Sequence, residues 1–142
     1  NVEAPIALTR LLRDRMGEGG RILNISSGAA HRALPGWGAY CTSKAALYMV
    51  YEVLKQELAG TGIAIGSLRP GVVDTPMQSL IRAQDESDFP AVARFRALKE
   101  AGELTSPEDV ARFIDAVLAL PAETFSRGEW DIREHWSEVI AG

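Results

Sequence analysis

The 142-residue chain is poor in cysteine and carries no excess of positive charge. Cys41 is the only cysteine, which excludes an internal disulfide and a cysteine-based metal site, and we expect a reducing, cytoplasmic compartment. The formal net charge of −4 argues against nucleic acid or an anionic membrane as a partner. No apolar run is long enough to span a bilayer, and Glu3 and Pro5 do not fit a signal peptide.

The chain also lacks a glycine-rich turn in the order that binds dinucleotides. That fingerprint needs a strand, then the glycines, then a helix. The glycines of "GEGG" (17–20) instead follow a predicted helix and precede a predicted strand. His135 has no second histidine or cysteine at a ligand spacing, so we predict no metal site.

What the chain does contain is an alternation of helices and apolar strands. The patterns predict helices over 1–16, 40–59 and from 107 onward, a polar and irregular helical stretch over about 77–101, and strands over 21–26, 63–68 and 129–132. Ser106 is the clearest helix cap, with Pro107 at the first helical position and Asp109 three residues after the cap. This alternation predicts one α/β domain with a parallel sheet over 1–142.

Tyr40 and Lys44 stand four positions apart at the start of the long helix, in "YCTSK". A helix places them on one face, one turn apart. A tyrosine phenol has an ordinary pKa of about 10, and a nearby ammonium group lowers it toward neutrality. The pair therefore fits a general acid or base whose proton affinity Lys44 adjusts. A surface aromatic beside a solvated lysine gives the same spacing.

The flanking strand ends favour the catalytic interpretation. "RILNISSG" is a predicted strand that ends in Ser26 and Ser27, and the next strand ends in "RPGVVDTPM", which includes Thr75. In a parallel α/β sheet, ligands collect at the carboxyl ends of the strands. Two adjacent strand ends thus supply hydroxyl and backbone groups around the helix that carries Tyr40 and Lys44.

This set resembles the short-chain dehydrogenase/reductase family in order and spacing across the whole chain. The residues that carry the resemblance are "NISSG", Tyr40 thirteen positions after Ser27, the YxxxK spacing and "RPGVVDTPM". The resemblance implies a catalytic set in which Ser27, rather than Ser26, binds the substrate carbonyl, Tyr40 transfers the proton, and Lys44 lowers the tyrosine pKa and binds the nicotinamide ribose. It further implies that the cofactor site is lined by Pro70, Gly71, Val73 and Thr75.

Asn1 resembles a fourth catalytic residue of this family. Pro5 has no N–H group, so the carbonyl of Asn1 is left free. The family uses this carbonyl to hold a water molecule in a proton relay. The alternative is that Pro5 merely occupies the first turn of a helix, where proline is tolerated.

A narrower resemblance is to the sepiapterin reductase and benzil reductase branch. It is carried by "RPGVVDTPMQ", the "IR" that follows, and "FPAVARFRALKEAGELTSPEDVARFI". This resemblance implies that residues 77–101 form a mobile substrate lid, with Trp37 and Met77 as pocket walls. Both side chains fit ordinary apolar packing equally well. His31 lies in the loop after Ser27, where it could face a substrate, but we expect a solvated side chain.

The fold implied is a Rossmann-like parallel sheet with flanking helices, of which the chain holds the second, catalytic half. The family's first half carries the glycine-rich turn and the residue that reads the ribose, and the chain contains neither. We therefore expect NADP, or NAD, to bind in a full-length parent and weakly or not at all to this chain alone. The chain is either part of a carbonyl reductase or alcohol dehydrogenase, or a truncated, non-catalytic homo-oligomeric module.

The long helix predicts self-association. One apolar stripe holds Leu47, Val50, Tyr51, Leu54 and Leu58, and a second stripe holds Ala46, Met49 and Val53. Such a wide apolar surface indicates burial on two sides. In the family, this helix and the preceding one pack against their copies in a partner subunit. We expect a homodimer or larger assembly, with a small carbonyl or alcohol compound as the substrate.

Overall fold

The computed structural model describes residues 2–140, in which parallel strands alternate with helices. The strands are β1 (Arg21–Ile25), β2 (Ala64–Arg69) and β3 (Glu129–Asp131). The helices are α1 (Glu3–Met16), α2 (Gly38–Glu57), α3 (Pro76–Arg82), α4 (Val92–Glu100), α5 (Pro107–Ala119), α6 (Ala122–Phe125) and α7 (Ile132–Ile140). A single turn of 3-10 helix covers Gly28–Ala30.

The three strands form one parallel sheet in the order β1-β2-β3. Ile22 lies opposite Ile65 across the first strand pair, and Leu68 lies opposite Trp130 across the second. All three carboxyl ends therefore meet at one edge of the sheet. Within residues 2–140, β1 pairs only with β2, so its outer edge is unpaired. The prediction of an α/β fold with a parallel sheet and flanking helices is confirmed.

Two residues of the central strand β2 pack into two separate hydrophobic clusters. Ile65 packs with Tyr51 and Leu58 of the α2 region on one face of the sheet. Leu68 belongs to a larger cluster with the apolar residues of α5, α6, β3 and α7. Because side chains alternate across a strand, these two clusters cover opposite faces of β2. The sheet is thus sandwiched between α2 on one face and α5–α7 on the other.

The cap of α5 is the most accurate of the sequence predictions. The Ser106 hydroxyl oxygen accepts a hydrogen bond from the Asp109 backbone N–H at 3.0 Å, and Pro107 begins the helix. Val110, Phe113 and Val117 then follow at helical spacing and are buried against the sheet. A cap of this kind contributes about 1 kcal/mol to helix stability, and it fixes where the helix starts.

The structure corrects the predictions in three places. Residues 77–101 are not one irregular stretch, because α3 and α4 are separate helices around a small core that contains Phe89, Val92 and Phe95. Residues 28–30, predicted as loop, form the 3-10 turn. The last strand ends at Asp131, and α7 follows it directly. Asp131 stands directly before that helix and caps it, because its Oδ1 accepts a hydrogen bond from the Arg133 backbone N–H at 2.9 Å, and Glu134 follows three residues later. The sequence prediction did not use this signal.

None of the helices in residues 2–140 combines the length and the apolar character that crossing a bilayer requires.

Candidate active site

A cavity of about 630 Å³ opens at the carboxyl ends of the strands. Its walls come from the segment after β1, the first turn of α2, the segment after β2 and the helices α3 and α4. Of the predicted site residues, Ser27, Trp37, Tyr40, Gly71 and Met77 line this cavity. A concave, mostly apolar cavity of this size is typical of a site for a small molecule.

Ser27 and Ser26 differ sharply in their surroundings. Ser27 lines the cavity, and its hydroxyl oxygen accepts a hydrogen bond from the Ala29 backbone N–H at 3.2 Å. Its own hydroxyl proton remains available to donate to a carbonyl oxygen. Ser26 is buried away from the cavity, with only 2% of its surface exposed. The geometry therefore favours Ser27 as the serine that meets a substrate.

Tyr40 and Lys44 lie one turn apart on α2, as predicted, but face different spaces. Tyr40 lines the cavity, with the ring of Trp37 packed edge-on against it at 5.2 Å. The Lys44 ammonium donates a hydrogen bond to the carbonyl oxygen of Ile25 at 2.8 Å and lies 5.9 Å from the Tyr40 ring centre. Burial lowers the pKa of Lys44 from its ordinary value. The last residue of β1 thus holds Lys44 beside Tyr40.

The segment after β2 contributes Gly71 to the cavity but not its predicted neighbours. Gly71 has a φ of 75°, and a Cβ atom there would lie 3.3 Å from both Ile132 Cγ2 and Thr105 Oγ1. Val73 instead forms an isolated parallel bridge with Thr105. Pro70, Val73 and Thr75 do not line the cavity, and Thr75 precedes α3 without capping it through its side chain.

The α3–α4 segment is anchored to the rest of the site through Trp37. The Trp37 ring stacks on Phe89 with centres 4.6 Å apart and planes within 4° of each other, and it also contacts Phe95. Gly36 has a φ of 84°, and a Cβ atom at this position would lie 2.5 Å from the Asp88 carbonyl oxygen. Trp37 therefore both walls the cavity and packs in a core, while Met77 is 60% exposed at the cavity.

A network of charged residues behind the cavity was missed by the sequence analysis. Arg69 and Arg133 line the cavity, and both guanidinium groups pair with Asp131, a fully buried carboxylate at the end of β3. Glu129 also pairs with Arg69, at 3.1 Å. The available signal was the position of three of these charges, because Arg69 and Asp131 are the last residues of their strands and Arg133 follows two residues after β3.

His31 is exposed, as expected, but it also makes contacts that the sequence did not predict. Its Nε2 atom lies 2.7 Å from Glu129 Oε2, and its ring packs edge-on against Tyr48 at 4.5 Å. Asn1, the fourth predicted catalytic residue, lies outside the described residues. Among residues 2–140, no group of three histidine, cysteine, aspartate or glutamate side chains is placed to hold a metal ion.

A parallel α/β sheet with a ligand-sized cavity at its carboxyl edge defines the class of doubly wound folds that bind nucleotides and small molecules at this edge. The family model of the short chain dehydrogenases matches residues 1–86, which is more than half of the chain. The chain therefore belongs to the short-chain dehydrogenase family.

The chain spans about half the length of each of the following three similar proteins. A benzil reductase ((S)-benzoin forming) from Bacillus cereus is 42% identical over 134 residues, which cover 91% of this chain and 53% of the relative. The Bacillus subtilis benzil reductase is 38% identical and covers 94% and 56%, respectively. A solved short chain dehydrogenase from Burkholderia cenocepacia in complex with NADP is 26% identical, with a TM-score of 0.72 over 92% of this chain and 51% of that one.

Proposed function

We propose that this chain is the catalytic half of a nicotinamide-dependent carbonyl reductase, which also runs in the direction of alcohol oxidation. The observation that carries the proposal is the shared cavity of Ser27 and Tyr40, with Lys44 one turn further along α2 and tied to the end of β1. The chain spans about half the length of the relatives it matches, so the activity belongs to a protein that supplies the other half.

Each of the three side chains has a distinct role in the proposed reaction. A bound nicotinamide cofactor would supply the hydride chemistry at the carbonyl carbon, in either direction. Ser27 donates a hydrogen bond to the carbonyl oxygen and stabilises the negative charge that develops there. Tyr40 gives its phenolic proton to that oxygen, and the Lys44 ammonium stabilises the resulting phenolate. Asn1 remains a proposed member of a proton relay.

The residues present fit the nicotinamide end of the cofactor. Lys44 uses one donor on the Ile25 carbonyl, which leaves two N–H donors for the hydroxyls of a ribose. Gly71 brings the backbone after β2 to the cavity, and its positive φ of 75° and its close approach to Ile132 and Thr105 favour glycine there. We include Pro70, Val73 and Thr75 in the proposed cofactor site on the family resemblance. NADP is the proposed cofactor because structural relatives are NADP complexes, although another is complexed with NADH.

The proposed substrate is a bulky carbonyl compound with an aromatic group. The cavity is walled by Trp37, Phe89 and Phe95, with Met77 as a further apolar group at the site. Two relatives bear the name benzil reductase, and benzil is an aromatic diketone. An apolar wall of this kind binds an aromatic ring by burial of its surface, which leaves the carbonyl group to Ser27 and Tyr40.

We also propose that the full protein is a homodimer through α1 and α2. Met49 and Val53 on α2 are 59% and 45% exposed, in contrast to the buried Leu47 and Tyr51 on the same helix. Further exposed apolar side chains lie on α1, namely Ile6, Leu8, Leu11 and Leu12. Both helices border one groove beside β1, to which α1 contributes Leu8 and Leu12 and α2 contributes Lys44 and Leu47. Exposed apolar side chains on two helices that border one groove support an interface on this side of the molecule.

The test uses a chimera in which this chain replaces the matched segment of the Bacillus cereus relative. We expect NADPH-dependent reduction of benzil by the chimera. Tyr40→Phe removes only the transferable proton, so it should abolish nearly all turnover while the thermal unfolding midpoint stays the same. The matched control is Tyr51→Phe, a tyrosine on the same helix that does not line the cavity.

A Tyr40→Phe chimera that kept most of its turnover would rule out the proposed proton transfer. A folded chimera that bound NADPH but reduced no aromatic ketone or diketone would instead favour the non-catalytic homo-oligomeric module.

A further inference from the structure

We propose that His31 and Glu129 are positioning residues that hold the turn carrying Ser27 in its reactive geometry. This inference rests on the proposed function, because it assigns Ser27 a role in carbonyl reduction. It adds two residues that lie outside the serine, tyrosine and lysine set. The link connects the segment after the first strand to the last strand, 98 residues away in the sequence.

The turn after Ser27 is short and depends on few hydrogen bonds of its own. The Ala30 N–H donates to the Ser27 carbonyl oxygen at 2.9 Å, and the His31 N–H donates to the Gly28 carbonyl oxygen at 3.2 Å. A single 3-10 turn has weak hydrogen-bond geometry and is not stable in isolation. Its orientation, and with it the direction of the Ser27 hydroxyl, must therefore be fixed by contacts with other elements.

His31 supplies those contacts at the end of the turn. Its ring Nε2–H donates to the Glu129 carboxylate at 2.7 Å, and the ring packs edge-on against Tyr48 of α2. A hydrogen bond with Glu52, together with burial, raises the pKa of Tyr48 to about 12, so this neighbour stays uncharged near neutrality. The turn is thus held to β3 by a charge-assisted hydrogen bond and to α2 by a ring contact.

Glu129 is itself fixed, which makes it a suitable anchor. Only 9% of its side chain is exposed. Ser67 of β2 donates its hydroxyl to Glu129 Oε1 at 2.8 Å, and the Arg69 guanidinium lies 3.1 Å from Oε2 as an ion pair. A buried carboxylate with three partners from two other segments has little freedom to move. The geometry of the Ser27 turn therefore depends on β2 and β3 as well as on β1.

The first experiment is a double-mutant cycle in the active full-length protein or chimera. Ser27→Ala should lower kcat by about 10²–10³-fold. His31→Ala should lower kcat by about tenfold when Ser27 is present, since a misplaced group loses much of its contribution, and by less than twofold in the Ser27→Ala background. The KM for NADPH should stay the same, and His31→Gln, which keeps a donor, should recover most of the lost rate.

Glu129→Ala should lower kcat by the same factor as His31→Ala. The double variant should have a kcat less than twofold below that of His31→Ala alone. Its matched control is Glu138→Ala, which removes a surface carboxylate that pairs with Arg127 at 2.6 Å; this variant should keep the original rate. Equal losses from His31→Ala with and without Ser27 would overturn the proposal, because a general structural role acts in both backgrounds.

A second readout does not need activity. Hydrogen exchange at the Ala30 and His31 amides of the purified chain should speed up in His31→Ala and Glu129→Ala, but not in Glu138→Ala. Unchanged exchange would overturn the proposal even if no substrate were found. Faster exchange in a protein without any reductase activity would instead contradict the proposed function and leave the structural link intact.

Discussion

At the scale of single residues, the surroundings of Asp131 favour the charged form of its carboxylate. It is fully buried, and Oδ1 accepts hydrogen bonds from the backbone N–H and the Nε–H of Arg133, at 2.9 and 3.0 Å. Burial alone would raise the pKa of Asp131, but the hydrogen bonds and charge of Arg133, with the charge of Arg69, outweigh it and lower the pKa. The same pairing raises the pKa of Arg133.

The lowered pKa of Asp131 leads to a prediction of how the stability of the fold depends on pH. A carboxylate whose folded pKa lies below its unfolded value, about 3.9, stabilises the fold above that pH and loses this contribution as the pH falls through the folded pKa. Asp131→Asn should therefore cost about 2 kcal/mol at pH 7, and the cost should shrink below about pH 4. Urea unfolding of the original protein and the variant at pH 7 and at pH 3 measures this difference in the free energy of unfolding.

The matched control for this experiment is Asp115→Asn, on the exposed side of α5. Its cost should be small at both pH values, because a surface carboxylate contributes little to stability. A cost for Asp131→Asn that stayed constant down to pH 3 would show that the carboxylate charge does not stabilise the fold.

The contacts that the sequence predicts and those that it misses differ in how many positions separate the two partners along the chain. Ser27, Tyr40 and Lys44 fall within eighteen positions, so one strand end and one helix turn determine their arrangement. The contact between His31 and Glu129 spans 98 positions and exists only once three strands are in register. Local patterns cannot specify such a contact, and a loop histidine with no local partner was consequently expected to be solvated.

At the scale of elements, the two apolar stripes of the α2 region differ in exposure to solvent. Leu47, Tyr51 and Leu58 are buried against the sheet, whereas Met49 and Val53 remain exposed. The sequence predicted both stripes, because helical spacing alone defines them. It also predicted α5 well from its cap. It did not separate α3 from α4, because the polar residues between them obscure the buried Phe89, whose partners are Trp37 and Phe95.

The exposed stripe of α2 leads to a prediction about assembly. We expect the purified protein to be a homodimer, and Met49→Asp or Val53→Asp to shift it to monomer, because a buried unpaired charge opposes association. The matched control is Ala111→Asp, which adds the same charge to the exposed side of α5, on the other face of the sheet, and should leave the dimer intact. Light scattering on dilute protein gives the mass.

A protein that is monomeric without any substitution would contradict the assembly proposal. A dimer that survives both Met49→Asp and Val53→Asp would assign the interface to another surface, such as the unpaired edge of β1.

At the scale of the whole molecule, the residues proposed for catalysis and the glycines of 17–20 lie in different parts of the fold. Ser27, Tyr40 and Lys44 lie just after β1 and in α2, whereas the glycines of 17–20 lie between α1 and β1 and not between a strand and a following helix. These glycines therefore do not form the helix N-terminus that binds a pyrophosphate. The sequence predicted the order of these elements, because that order is readable without knowing any long-range contact.

The corresponding prediction concerns cofactor affinity. The chain alone should bind NADPH and NADH weakly, whereas the chimera with the Bacillus cereus relative should bind NADPH at micromolar concentration. Titration with nicotinamide fluorescence as the signal compares the two proteins, and Lys44→Ala in the chimera should weaken the binding. Saturation of the chain alone at micromolar NADPH would show that its own residues hold the phosphates.

The hydrogen bond between His31 and Glu129 has a consequence for the protein during its synthesis. A ribosome adds about 5–20 residues per second, so roughly 5–20 seconds separate the appearance of His31 from that of Glu129. During that interval the nascent chain already contains Ser27, Tyr40 and Lys44 but not the carboxylate that pairs with His31. Under the proposed positioning role, the Ser27 turn gains its full order only after β3 has been made, so this turn is the last part of the proposed site to be completed.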